Sequence, residues 1–417
     1  MSITQKKMGS GPLKAIANIM AGSSSSKDRR FVSLNYLRGF AALLVFYGHI
    51  VGVGSGEPVV ARMYFPMIQN PVVDLSVTSK AHFYTNILDF MARNDVSSGG
   101  LGVALFFLIS GFVIVRSIES MSAIPFLVGR FFRIFPLCAF VILGTAVGVS
   151  LLDASYGAPN PYTVRNLLSS AFLMAAWLSE FNTSPVTWTL TAEVYFYLSL
   201  AVAFLVFKRI SPAAIFSLTI FLCGVIVVSN FFLGGITGHD HAVNAIRHAG
   251  YNSFYVIYML LGSCLFKIQK DRNNFLPYIF VMALLVAAYF LCKGIFDTHF
   301  PHTLGSDTAS ACQGLGFFLL ALCFDHKIGV NRIANFFADI SYPLYLVHVP
   351  FGWGMLFELT HLGVDPRLSI PMTLTTIVFM AWVLHVFIER PAHLAGKRWA
   401  ARLNFSKTCE LVLRKAV

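Results

Sequence analysis

The segment "SLNYLRGFAALLVFYGHIVG", residues 33–52, places Arg38 and His49 eleven residues apart with almost nothing but apolar side chains between them. At about 100° per residue the two lie roughly 20° apart after three turns, so a helix presents both on one face, about 16 Å apart along its axis. A cation and an imidazole on one stripe of an apolar helix are costly in lipid and point to a polar interior or to chemistry. Other apolar segments repeat the pattern. Glu193 stands in "WTLTAEVYFYL", His348 ends "SYPLYLVH", and Arg116, Arg130, Arg133, His385 and Glu389 gather at segment ends. Imidazole suits proton movement near neutral pH. A carboxylate beside it fixes a tautomer and stabilises the imidazolium. Clustered arginines suit bidentate phosphate binding. Together they describe transfer of a group from a phosphorylated donor on one side of a membrane to an acceptor on the other. Each residue also has a plainer reading: a satisfied core histidine, a paired carboxylate, or arginines that only set topology.

The elements that must position these groups are transmembrane helices. The chain has 417 residues, 56% of them hydrophobic and 12% charged, with mean hydropathy +0.70. At about 20 residues per span, that length allows on the order of ten crossings. Apolar segments run approximately 34–54, 98–117, 131–152, 188–207, 212–234, 251–267, 275–293, 306–324, 338–358 and 367–388; an eleventh, 165–180, is shorter and more polar. If the eleventh does not cross and the N-terminus is cytoplasmic, 23 Lys and Arg fall on the cytoplasmic side and seven outside. This asymmetry follows the positive-inside rule. The expected architecture is an all-α bundle of about ten transmembrane helices, with 165–180 as a short re-entrant or interfacial helix and both termini cytoplasmic. Residues 1–31 are expected to be a flexible basic tail rather than a cleavable signal, 32–395 the membrane domain, and 396–417 a basic C-terminal tail. In this frame Arg38 lies near the cytoplasmic end of its span, His49 and His348 share a depth near mid-membrane, and Glu193 lies about 8 Å below the outer face.

Several function classes are disfavoured. The net charge of +12 is accounted for by topology, and no basic patch interleaved with stacking aromatics suggests nucleic-acid binding. The seven cysteines lack CxxC or metal-ligand spacing and read as reduced packing residues. His239, His241, His248, His299 and His302 match no standard metal pattern, so no metal is expected. "SG" at 110–111 reads as a site of close helix approach. No fixed-period repeat and no matching pair of broken helices suggests a repeat-built transporter. A proton-coupled transporter of a sugar or lipid, with His49, Glu193 and His348 as its relay, is the alternative reading.

Six segments in order resemble the membrane-bound acyltransferase-3 family: "LRGFAALLVFYGH" (Arg38 to His49), "GVALFFLISGFVI" (102–114), "GRFFRIFP" (129–136), "WTLTAEVYFYL" (188–198), "SYPLYLVH" (341–348) and "FIERP" (387–391). The resemblance covers approximately residues 32–395. It implies a ten-helix bundle that uses an acyl-CoA, most often acetyl-CoA, as co-substrate to acylate a carbohydrate hydroxyl of the cell envelope, in a bacterial inner membrane. The family's essential arginine and histidine fall on Arg38 and His49, and its inner arginine motif on Arg130 and Arg133. On this reading Arg38, Arg130, Arg133 and Arg116 hold the donor, His49 acts as base or transient acyl carrier, and Glu193 and His348 orient His49 or the acceptor. A carbohydrate or glycolipid acceptor and the lipid bilayer are the expected partners, and no cofactor is expected to be permanently bound. One subgroup carries an esterase-like domain after the membrane part, and the sequence reads as the form without it.

Overall fold

A computed structural model describes residues 31–53, 96–157, 162–233, 241–271, 273–299 and 308–416, with residue 160 and isolated positions between 64 and 94. Residues 1–30, expected as a basic tail, lie outside the described residues, as do His239, His302 and the side chain of His299. Every regular element among the described residues is helical. The helices are α1 (Val32–Tyr47, continuing as a π-helical turn Gly48–Val53), α2 (Ser98–Glu119), α3 (Ala123–Ser155), α4 (Val164–Ala171), α5 (Trp188–Phe207), α6 (Pro212–Leu233), α7 (His241–Lys270), α8 (Leu276–His299), α9 (Thr308–Phe324), α10 (Arg332–Asp339), α11 (Ser341–Val347), α12 (Pro350–His361), α13 (Pro366–Leu384, then a π-helical turn His385–Glu389) and α14 (Arg390–Ala416).

Nine stretches of continuous helix among the described residues are long and apolar enough to cross a membrane. The tenth expected span, 338–358, keeps right-handed helical dihedrals through His348 and Val349 but loses its regular hydrogen-bond ladder there. It divides into α11 and α12, and His348 and Val349 form the break. Pro350 explains the division, because it has no N–H to donate to the preceding turn and its ring crowds the carbonyl four residues back. Segment 165–180 forms only the eight-residue α4 and then a chain of turns. Eight residues rise about 12 Å, far short of a bilayer core. Its polar groups are satisfied locally: Asn166 reciprocates the Thr163 cap and donates to Glu180 Oε2 at 2.8 Å, and the backbone N–H of Thr183 donates to Ser170 Oγ at 3.0 Å.

The bundle is organised around α2 and α7. Burial covers 89% of the apolar window of α7 but only 28% of that of α8, which puts α7 in the centre and α8 at the lipid rim. Helices in lipid gain little from hydrophobic transfer and associate through close packing, so small residues mark the contacts. Gly111 of α2 and Gly262 of α7 face each other: a Cβ on Gly111 would collide with the Met259 carbonyl, and one on Gly262 with the Leu108 carbonyl. Ser263 Oγ donates across the same contact to the Gly111 carbonyl at 3.1 Å. Gly111→Ala is therefore expected to push α2 from α7 at a cost of about 1–3 kcal/mol, read as a lower thermal midpoint. An unchanged midpoint would mean that the contact is looser than described.

The end of the bundle that carries the arginines is tied by polar contacts. No side chain caps α1 from its own N-cap position, but Asp325 supplies the cap from distant chain, accepting from Ser33 N at 2.9 Å and Ser33 Oγ at 2.8 Å. This serves the orphan donors of a first helical turn. Lys267 and Lys270 of α7 pair with Glu119 at the end of α2.

Candidate functional site

In three helices the regular α-helical ladder is interrupted where a polar residue sits. His49 lies in the π-helical turn after α1, His348 in the break between α11 and α12, and Glu389 in the π-helical turn after α13. Such turns free carbonyls and redirect side chains, and they recur at functional sites.

The first cluster surrounds a cavity of about 140 Å³ between α1, α2, α3, α5 and α11. Arg38, Arg130, Arg133 and Glu193 all line it, with Ser110 and Tyr197. Each guanidinium is held. Arg38 Nη2 donates to the Ala338 carbonyl at 2.6 Å, at the C-terminal end of α10, and Ser341 Oγ donates to the same carbonyl at 2.8 Å. Its Nε–H is buried without a hydrogen-bond partner. Arg130 donates to Ser117 Oγ at 2.8 Å and lies over the rings of Phe126 and Tyr197. Arg133 pairs with Glu389 Oε1 at 3.0 Å, and the other oxygen of Glu389 meets His385 Nδ1 at 2.7 Å. Glu193 accepts from Ser110 Oγ at 2.9 Å and from the Tyr197 hydroxyl. Three arginines and the Glu193 carboxylate thus converge on one small chamber, and Glu389 pairs with Arg133 at its edge.

A second cavity, of about 540 Å³, lies beyond it toward the bundle end. Arg38, Ile109 and Val113 belong to both walls, and Arg116, Asn335 and Asp339 line the outer one. Arg38 therefore stands between a wide vestibule and a narrow chamber. A flexible, anionic molecule could enter through the first with its charged end and extend into the second.

The histidines form the second cluster. His348 Nε2 lies 3.2 Å from His49 Nδ1, although the residues are 299 positions apart in the chain. His348 Nδ1 is 2.6 Å from the Tyr345 carbonyl, and His49 Nδ1 is 2.9 Å from the Val45 carbonyl. Carbonyls only accept, so both Nδ1 atoms carry hydrogen. The Nε2 of His348 then accepts, and the Nε2 of neutral His49 keeps its lone pair as a base. The ring of His348 is buried and that of His49 half-buried, so His49 is the more accessible member of the pair. The Trp353 indole N–H donates to the His49 carbonyl at 3.1 Å and so ties this π-helical turn to α12. Trp353→Phe keeps a buried ring but removes that donor. We expect a loss of about 0.5–1.5 kcal/mol for the missing hydrogen bond together with slower turnover. A stable, fully active variant would contradict the anchoring role.

The structure brings His49 to His348, and Arg38 to Arg130, Arg133 and Glu193. Glu193 bonds to Ser110 and Tyr197 on the arginine side, with no hydrogen bond to either histidine among the described contacts. Arg116 lines the vestibule rather than the chamber. Tyr345 connects the clusters: it lines the chamber, its ring is 5.6 Å from that of His348, and its hydroxyl lies 2.8 Å from Thr189 Oγ1. Sequence reasoning had not assigned partners to Tyr197, Tyr345 and Trp353. Tyr197 carried one signal, its position four residues after Glu193 on the same helix face; Trp353 carried none, because its partner is a carbonyl from distant chain.

A multi-pass helical membrane bundle with a buried arginine–carboxylate chamber and an intramembrane histidine pair is the class these features define. The chain belongs to the acyltransferase-3 family: the family model, described as an acyltransferase domain, matches residues 31–386. It is also similar to Nodulation protein 10 of Rhizobium leguminosarum bv. viciae, 30% identical over 161 residues, covering 33% of this chain and 42% of that protein. Acyltransferase MdmB of Streptomyces mycarofaciens is 28% identical over 190 residues, covering 43% of this chain and 41% of its own length. The matches thus span about two fifths of each relative. No solved structure matches.

Proposed function

We propose that the protein is an O-acyltransferase of a bacterial inner membrane that moves an acyl group, acetyl in the first instance, from cytosolic acyl-CoA to a hydroxyl of a cell-envelope or exported carbohydrate. Family membership supports acyl transfer, and the acyltransferase relative agrees with it. The observation that carries the donor assignment is Arg38, shared by a vestibule that also holds Arg116 and a chamber that also holds Arg130 and Arg133. Coenzyme A is a nucleotide diphosphate on a long flexible arm, which suits arginines at a wide mouth and a narrow passage beyond. The excess of Lys and Arg at this end supports a cytoplasmic setting with both termini on that side.

In this mechanism the acceptor hydroxyl lies against His49 Nε2. The imidazole takes its proton as the oxygen attacks the thioester carbonyl. A C–O bond forms, the C–S bond breaks, and the imidazolium returns the proton to the leaving thiolate, giving ester and free CoA thiol. His348 positions His49 through Nδ1, and the Tyr345 carbonyl fixes the tautomer of His348. Glu193 offsets the arginine charge and holds Tyr197 and Ser110 at the chamber wall.

Proteoliposomes with radiolabelled acetyl-CoA on one face and mixed envelope sugars on the other test the reading. Labelled acetyl ester on the sugar supports it. Sugar flux without donor consumption would overturn it in favour of the proton-coupled transporter.

A further inference from the structure

At the end of the bundle away from the arginines, a third cavity, of about 230 Å³, opens between the turns after α4, the start of α5 and the first third of α7. Its wall combines aromatic faces, Trp188 and Tyr251, with polar groups of Asn182, Thr191, His248 and Asn252. Among the described residues no lysine or arginine lines it, which makes it unsuited to the phosphates of a donor. It is also too polar for an acyl chain. Asn252 is 1% exposed. Its Nδ2 donates to the His248 carbonyl at 2.6 Å, but its Oδ1 is buried with no hydrogen-bond partner. An orphaned amide oxygen costs free energy unless something in the cavity donates to it.

The aromatic wall is built rather than incidental. The Trp188 ring packs edge-on against Tyr251 at 5.7 Å, and Trp177 flanks His248 at 6.4 Å. Outside the spans, burial pushes the Tyr64 phenol up to about 12, so this wall residue stays protonated at neutral pH. A rigid ring whose C–H faces are weakly positive and whose edge carries hydroxyls suits such a site: aromatic faces attract the first, and amide and hydroxyl groups pair with the second.

A relay of contacts links the cavity to the histidine pair. Pro185 and Thr187 line it, and Val186 between them accepts from the Tyr345 hydroxyl at 3.1 Å. The Tyr345 ring is 5.6 Å from that of His348, which touches His49 at 3.2 Å.

We propose that this cavity holds a sugar ring of the acceptor, with Asn252 Oδ1 accepting from a ring hydroxyl and Trp188 and Tyr251 presenting the aromatic wall. The assignment rests on the acyl-transfer reading for its place in the reaction but not for its chemistry.

The test uses the full chain in lipid nanodiscs. Saturation-transfer NMR is run with the methyl glycosides of glucose, galactose, mannose and N-acetylglucosamine as probes, with empty nanodiscs as control. The wild type is expected to bind at least one glycoside. Asn252→Leu should weaken that binding about tenfold or more, and so should the milder Thr191→Val, while both variants still bind acetyl-CoA as proof of folding. Binding of no glycoside, or binding unaffected by either substitution, would overturn the assignment and leave a cavity filled by water alone. Glycoside binding without any acetyl-CoA binding to the wild type would sustain the sugar site and overturn the donor reading instead.

Discussion

Replacing His49 with alanine is expected to lower the rate of acyl transfer by about 10²–10⁴-fold, the range that a positioned general base contributes. Acyl-CoA affinity should change little, because the groups assigned to the donor belong to the vestibule and chamber around Arg38. In the proposed mechanism His49 is the base, because its Nδ1 is engaged by the Val45 carbonyl and His348, which leaves Nε2 with the lone pair. His348→Ala should have a smaller effect, since it removes the ring that holds His49 but not the proton acceptor itself. Rates are compared in nanodiscs at saturating donor, beside each variant's thermal midpoint. A His49→Ala protein with unchanged stability and a wild-type rate would remove the histidine pair from the chemistry. Equal losses of stability and rate would make it structural.

The second large effect belongs to Glu389. It is 2% exposed and bonds to Arg133 on one oxygen and His385 on the other. Removing one member of a buried ion pair strands the other charge, at a cost of about 3–5 kcal/mol. Glu389→Ala should therefore depress the thermal midpoint strongly and also loosen Arg133 at the chamber wall. The double variant Arg133→Met/Glu389→Leu replaces the pair with apolar groups and should recover most of the stability. It should not recover acyl-CoA binding, because Arg133 is assigned to the donor. Recovery of both would show that the pair only holds the helices together.

Much of the fold was legible because lipid enforces it. A bilayer needs about 20 apolar residues per helix, and the charge asymmetry between loops fixes a consistent parity, which left 165–180 as the segment that does not cross. What could not be read was where helices break. Pro350 is visible in the sequence, yet Pro136 lies inside continuous α3, so proline alone does not announce a gap. The π-helical turns at Gly48–Val53 and His385–Glu389 leave no compositional trace. For the site, equal depth brought His49 and His348 to the same level, and the structure places them in contact. Depth counted along a helix misplaced Glu193, however: expected near the outer face, it bonds to Ser110 in the middle of α2 and lines the same chamber as Arg38. Glu389 and Arg133 are 256 residues apart, and their pairing emerges only when α3 packs beside the end of α13.

The most direct test of the central claim is release of CoA thiol from acetyl-CoA by the purified protein in nanodiscs, with crude bacterial envelope sugar as acceptor. The wild type would be compared with His49→Ala and Arg38→Ala after each variant has been shown to be folded. The account predicts thiol release by the wild type and its loss in both variants, with weakened donor binding in Arg38→Ala only. Equal release by all three, or none above empty nanodiscs from the wild type with donor and acceptor validated on a control enzyme, would contradict it.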